Sequence, residues 1–257
     1  MTSELNQGLF ERDALTYATL ELQRPEQSLL GRFRERWPEV RMLDLGIGTG
    51  RTSFTFAPLV AEYVGIDYAP RMVELARELV PESDTVRLLE GDARRLGELV
   101  DGPFDLILFS FNGIDYVDHE DRLSVLAQVR ELLAERGLFC FSSHSIAALP
   151  LPGPRLNVDA RRPLHTAYRG ARALQALRKV RRANSRIDVD ELRKSGRGVV
   201  VDGAHGFEAR TYYVTPAEQL RQLAEAGFGE VEVQDLGGRP VDPARPGRDP
   251  WLYYFCS

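Results

Sequence analysis

The stretch Met42–Gly50, reading Met-Leu-Asp-Leu-Gly-Ile-Gly-Thr-Gly, constrains this chain more than any other. An apolar strand runs into three alternating glycines, Gly46, Gly48 and Gly50. Without Cβ atoms, a turn between strand and helix lets the backbone approach a ligand closely, and the helix start beyond it offers unpaired N–H groups. About twenty residues further on, the apolar run Tyr63–Ile66 ends in Asp67. A glycine turn after one strand and a carboxylate at the end of the next indicate a nucleoside-binding α/β sheet. The question is which nucleoside.

The rest of the chain supplies the sheet. Strands are expected at Arg41–Leu45, Tyr63–Asp67, Thr85–Leu89, Phe104–Phe109 and Leu138–Ser143, the last entered through a turn at Gly137. Helices are expected from near Arg51, over Pro70–Leu79 and over Glu120–Ala134. Met72, Val73, Leu75 and Ala76 carry the spacing of a buried helix face. Phe104–Phe109 is a nearly unbroken apolar run, as a strand covered on both faces should be. Strands alternating with helices mean crossover units and a largely parallel sheet. The first forty residues read as helical, with Pro25 in the first turn of a helix running to Trp37 and stopped by Pro38. The alternation breaks at Ala147. A Pro/Gly-rich connector, Leu149–Pro154, leads to a helical stretch over Ala160–Ala183 and then to a hairpin, with Val199–Asp202 and Ala209–Val214 flanking Gly203–Gly206. We treat 146–213 as an insertion and 1–38 as an N-terminal lid on a single domain spanning 1–257. Thr215-Pro216-Ala217-Glu218 is a capping box for a further helix, followed by strands at Val231–Asp235 and Trp251–Cys256.

Composition excludes several classes. With 43% hydrophobic and 28% charged residues, a globular core is expected. A net charge of -5 gives the molecule as a whole no attraction to nucleic acid or anionic membranes. No apolar run approaches a membrane span and Met1–Phe10 lacks a signal-peptide pattern, so a cytoplasmic protein is expected. Cys140 and Cys256 are too far apart in sequence for a metal-ligand motif, so no metal site is expected.

Position 51 decides between nucleosides. The dinucleotide fingerprint calls for Gly or Ala there, and this chain has Arg51. What remains is Asp44-x-Gly46-x-Gly48-x-Gly50, followed by Asp67, Gly91-Asp92-Ala93 and Ser110-Phe111-Asn112 in order. Together these blocks resemble the class I S-adenosylmethionine (SAM)-dependent methyltransferases of small-molecule type, over residues 40–145 and again over 215–256. The resemblance implies a doubly wound, Rossmann-like sheet of seven mostly parallel strands with an antiparallel C-terminal strand beside the fifth. It implies SAM as donor and S-adenosylhomocysteine (SAH) as product. Asp44, Gly46 and Gly48 would line the methionine part, and Asp67 would take both ribose hydroxyls. Tyr68 and Met72 would pack around the adenosine, Asp92 and Ala93 would meet the adenine, and Ser110, Phe111 and Asn112 would lie near the methyl group. Tyr17 would cap the SAM carboxylate. Cys140 and Cys256 would be buried neighbours in the sheet. Plainer readings exist for several of these: a turn-forming role for Asp92 and Asn112, core packing for Met72 and Tyr17.

The acceptor is less constrained. His144, after the fifth strand, is the candidate base or substrate contact, because ligands in doubly wound sheets gather at the carboxyl ends of strands. His165, Tyr212 and Tyr213 are candidate substrate contacts, with alternation sending the two tyrosines to opposite faces. His119 and His205 are weaker candidates. Between Arg155 and Arg186 ten basic residues face only Asp159. They suit an anionic small acceptor better than nucleic acid, and they could also serve a dimer contact, so either a monomer or a homodimer is compatible. The expected activity is O- or N-methylation of a metabolite or natural product. Three alternatives stay open: an RNA methyltransferase using the arginine-rich insertion, a SAM-binding relative that transfers nothing, and a nicotinamide oxidoreductase.

Overall fold

The computed structural model describes residues 6–10, 21–150, 171, 174–175, 177–185, 187–202 and 208–257. Five parallel strands form its centre: β1 (Arg41–Leu45), β2 (Glu62–Asp67), β3 (Val86–Glu90), β4 (Phe104–Phe109) and β5 (Leu133–Ser145), in the order β3-β2-β1-β4-β5. The order reverses between β1 and β4, which opens a crevice beyond their carboxyl ends. Further along the chain lie β6 (Arg197–Val201), β7 (Arg210–Val214), β8 (Val231–Gln234) and β9 (Trp251–Cys256). β9 runs antiparallel to β5, and β8 antiparallel to β9. β1–β5, β8 and β9 are the seven-stranded doubly wound sheet expected from the sequence.

Successive side chains on each strand enter different cores. Leu43, Leu45, Val64, Ile66 and Ile107 join one cluster, while Met42, Tyr63, Leu106 and Leu108 join the other. Both faces are covered by helices: α1 (Arg24–Arg32), α2 (Arg51–Phe56), α3 (Pro70–Leu79), α4 (His119–Leu132) and α6 (Pro216–Glu225); α5 (Val189–Ser195) lies in the insertion. α3 begins at Pro70 and buries Met72, Val73 and Ala76, with no side-chain cap at Ala69. α6 has the expected Thr215 cap, whose hydroxyl accepts from the Glu218 amide at 3.3 Å.

Three expectations are corrected. α1 starts as anticipated but ends at Arg32; Phe33 and Trp37 then turn into the core beside Phe56, and Pro38 sits inside a short 3-10 turn, Trp37–Glu39. Gly137 makes no turn. β5 begins at Leu133, and its pairing moves from Leu133 to Leu138 while β4 moves only from Phe104 to Leu106, so the intervening residues form a bulge. Glycine is needed at 137 for space, because a Cβ there would lie 2.9 Å from the Phe104 carbonyl oxygen. The hairpin of β6 and β7 is present, but it is part of the sheet. β5 outruns β4, and His144 pairs with Trp251 of β9 along one edge and with Tyr213 of β7, in parallel, along the other. As expected, Cys140 and Cys256 are buried and free on adjacent antiparallel strands, and they point to opposite faces. Cys256 is in register with Phe139 and Cys140 with Phe255, so one thiol joins each core. The α5 helix was not anticipated. No helix among the described residues is long and apolar enough to cross a membrane.

Candidate functional site

A cavity of about 400 Å³ opens at the carboxyl ends of β1, β2, β4 and β5, within the roughly 300–1,000 Å³ usual for small-molecule sites. One end is the glycine turn. Gly46 and Gly48 have φ of +65° and +55°, and a Cβ on Gly46 would lie 3.0 Å from the Phe109 ring. The turn is tied to β2 by the Gly46 amide, which donates to the Ile66 carbonyl at 2.8 Å.

Asp67 holds the turn from the other side. Its Oδ2 accepts from the Gly48 amide at 2.8 Å and its Oδ1 from the Ala69 amide at 2.9 Å. A carboxylate has about four lone-pair positions, so each oxygen can still accept from a ligand. Burial pushes this carboxyl up to about 6. Tyr68, Met72, Asp92 and Ala93 continue the wall. Asp92 is strongly occupied: it caps a short 3-10 helix through the Arg94 amide and forks with the Arg94 guanidinium, 2.6 Å at the shortest. Although burial opposes its charge, Arg94 holds it below the usual carboxylate range.

Asp44 is not on the wall. It is buried under the turn, where the Tyr63 hydroxyl donates to it at 2.6 Å. Burial pushes its carboxyl up to about 7, against the opposing hydrogen bonds of Thr52 and Tyr63. Asp44 therefore braces the turn from below. Arg51, noted in the sequence only as a mismatch, is on the wall. Its guanidinium forks onto buried Glu26, 2.5 and 2.8 Å, and reaches the Ser110 hydroxyl at 3.1 Å. This ties α1 and the end of β4 to the glycine turn.

The other end of the cavity is built around His144. Phe111 and Asn112, after β4, both have positive φ, 54° and 64°. Non-glycine residues seldom hold this conformation, and two in succession turn the chain sharply after β4. The bend places Asn112 against His144, with Asn112 Nδ2 3.5 Å from His144 Nε2. On its far side the imidazole Nδ1 lies 2.8 Å from Asp115 Oδ2, which also accepts the His144 backbone amide at 2.7 Å. Asp115 Oδ1 accepts from Arg122 and from the Ser143 hydroxyl, each at 2.7 Å. A carboxylate so surrounded by donors assigns the ring proton to Nδ1 and leaves the Nε2 lone pair toward the cavity. Arg122 is wholly buried and also donates to Ser143, Gln219, Gln222 and the Ile114 carbonyl, which occupies a guanidinium that would otherwise be costly in the core.

Tyr213 and Tyr212 separate as alternation requires. Tyr213 is on the cavity wall, its ring 4.9 Å from that of His144. Tyr212 turns away into the polar network, where its hydroxyl meets His119 at 2.9 Å and accepts from Gln222 at 3.1 Å. Ser110, Phe111 and Asn112 are all on the wall. The readings at Tyr17, His165 and His205 lie outside the described residues.

Sequence reasoning missed Asp115, Arg122 and Asp202. Arg122 did leave a trace: with Val125, Leu126 and Val129 it occupies the buried stripe of α4, at spacings where only apolar residues are expected. Asp115 and Asp202 follow β4 and β6 with no local pattern to single them out.

The comparisons agree with this geometry. Residues 42–137 match a family model described as a methyltransferase domain. A malonyl-[acyl-carrier protein] O-methyltransferase of Geobacter sulfurreducens is 30% identical over 232 residues, covering 90% of this chain and 70% of that protein. A demethylmenaquinone methyltransferase of Thermus thermophilus is 37% identical over 92 residues, 35% of this chain. The chain spans about two fifths of the length of the first curated relatives it matches. Among solved structures, the CcbJ methyltransferase of Streptomyces caelestis superposes with a TM-score of 0.59 at 20% identity, covering 90% of this chain and 88% of that one. The 1,6-didemethyltoxoflavin-N1-methyltransferase of Burkholderia thailandensis gives 0.60 at 15% identity, covering 98% and 87%.

Proposed function

The chain belongs to the SAM-dependent methyltransferase family, and from that premise we propose that it methylates a small molecule bound at the His144 end of the cavity. The observation that carries the proposal is one continuous cavity with Asp67 and the glycine turn at one end and His144 Nε2 at the other. The residues fit SAM. Asp67 keeps acceptor capacity for a vicinal diol, and Gly46 and Gly48 present backbone where a Cβ would intrude or strain. Tyr68 and Met72 would flank the adenosine, Ala93 and Asp92 would edge the adenine, and Tyr17 would cap the carboxylate. Bound there, SAM supplies a methyl group already activated by a sulfonium.

The protein's work is then positioning and proton handling. Holding a nucleophile in line with the methyl carbon removes much of the barrier. Ser110, Phe111 and Asn112 shape the strait between the two ends. His144 Nε2 takes the acceptor's proton, and Asp115 keeps the ring in the tautomer that can do so; general base catalysis of this kind contributes on the order of 10²–10⁴-fold. Of the cap expected from 1–38 and 146–213, Phe10, Asp202 and Tyr213 are described residues that line the cavity.

Calorimetric titration with SAM tests the premise of the site. Binding by the wild type and a loss of tenfold or more in Asp67→Ala are expected. Absence of binding, or an unchanged affinity in Asp67→Ala, would sink the assignment.

A further inference from the structure

We propose that the acceptor is a flat aromatic molecule that reacts through a phenolic hydroxyl; this rests on the methyltransferase reading above. A row of rings crosses the His144 end of the cavity. His144 of β5 is in register with Tyr213 of β7 on one side and with Trp251 of β9 on the other. Residues paired across strands project from the same face of a sheet, so the three rings lie side by side. The Tyr213 and His144 centroids are 4.9 Å apart, and those of His144 and Trp251 5.9 Å. Phe111, after β4, extends the row, 5.9 Å from Trp251. All four residues line the cavity.

Exposure rises along the row. Tyr213 is 1% exposed and His144 8%, Trp251 is half-buried, and Phe111 is 41% exposed even with the Arg51 guanidinium 5.3 Å from its ring centroid. The row is therefore closed at Tyr213 and open at Phe111. The polar tips of the inner rings are engaged. The Tyr213 hydroxyl donates to Asp202 at 3.2 Å, the Trp251 indole N–H to Gln23 at 3.3 Å, and His144 Nδ1 lies 2.8 Å from Asp115 Oδ2. What the row offers a ligand is apolar ring surface with His144 Nε2 set in it. Aromatic rings packed offset or edge-to-face gain more than the burial of equal apolar area. A flat conjugated acceptor uses that gain, and a saturated ring does not. The row lies on the far side of β4 from β2 and β3, whose ends carry Asp67 and Asp92, so the adenosine has no need of it. An anionic acceptor finds less here: among the described residues on the wall, Arg51 is the one Lys or Arg, and Glu26 balances it.

The base selects the reacting atom. A phenolic hydroxyl ionises near about 10 and an imidazolium near about 6.5, whereas water, which aliphatic hydroxyls resemble, ionises near about 16. A phenol is thus the hydroxyl from which an imidazole can take a proton. The phenolic proton passes to His144 Nε2, and the oxygen lone pair forms the O–C bond as the S–C bond breaks. The sulfonium becomes a neutral thioether, the aryl methyl ether leaves, and the imidazolium, held against Asp115, returns its proton to solvent.

The test titrates the SAH-saturated full chain with two probes of one skeleton, 4-ethylphenol and trans-4-ethylcyclohexanol. The phenol should bind about tenfold tighter, the gain expected from two ring contacts. Trp251→Leu should remove most of that preference, and Trp251→Phe should retain it. SAH affinity should stay within about twofold of wild type in both variants, which also reports that they fold. Label from methyl-labelled SAM should appear on the phenolic oxygen. Equal or tighter binding of the cyclohexanol overturns the proposal, as does no binding of either probe, an unaltered preference in Trp251→Leu, or no label on the phenol. Weakened SAH binding in Trp251→Leu also overturns it, by making Trp251 a cofactor contact. Failure of wild-type protein to bind SAH is a separate result and removes the methyltransferase site itself.

Discussion

The two ends of the cavity are built by different means. The glycine end is made from residues 46–93, mostly backbone, and its one essential carboxylate is fixed by amides of the two turns it joins. The His144 end collects side chains from β5, β7, β9, α4, α6 and the turn after β4, held by a buried charge network. Backbone geometry is specified locally and tolerates neighbours changing. A buried network depends on every member, because removing one partner leaves another polar group unpaired in the core.

That contrast predicts its largest effect at a residue that does not touch the cavity. Arg122→Ala strips Asp115 of its ion-pair partner and should lower stability by about 3–5 kcal/mol in denaturant titration, as breaking a buried pair usually does. A variant as stable as wild type would show that the two ends are not built differently. His144→Ala should come next. Methyl transfer should fall by on the order of 10²–10⁴-fold with SAM affinity within about twofold of wild type, because the general-base contribution is confined to the acceptor end. A parallel loss of SAM binding would mean that the ends are coupled.

At the glycine end the expected changes are smaller and pH-dependent. The Asp67 carboxyl is raised from 3.8 to about 6 by burial. Its folded form therefore holds a proton more tightly than the unfolded chain does. The contribution of this group to stability is fully present below 3.8 and is lost as pH rises through about 6. Ligand binding runs the other way, since a diol donates best to the ionised form. SAM affinity should weaken as pH falls through about 6, and Asp67→Asn should flatten that profile; a pH series of titrations on both proteins measures it. The smallest effect is expected at Asp92. Both of its oxygens serve Arg94, so Asp92→Ala should cost roughly 1 kcal/mol of stability through the lost helix cap and change SAM affinity by less than about threefold. A larger loss of affinity would move Asp92 from scaffold to ligand contact.

The same division explains what could be read from the sequence. Glycine spacing, the strand-end Asp67 and the apolar runs are local patterns with local causes, and the strands β1, β2 and β4 lie where those patterns place them to within a residue. The turn expected at Gly137 failed for an instructive reason. Glycine marks either a special φ or a close approach, and only the packing of β5 on β4 reveals that the second applies. The thiols followed a similar course: adjacency was legible, but facing depends on a one-residue register. Tyr212 and Tyr213 were correctly separated by alternation, while the side that faced the cavity was set by the strand beside them.

By itself, then, the sequence determined the doubly wound sheet, the glycine turn and the carboxylate that closes it, because each is specified by residues within one crossover unit of one another. The tertiary structure alone decided which charged and polar groups meet. Arg51 meets Glu26 across 25 positions, Arg122 meets Gln222 across 100, and Asp202 comes beside His144 only because β5 extends past β4 to receive β7. Long-range pairing of buried charge has no local signature, and at the acceptor end of this cavity it is long-range pairing that sets the chemistry.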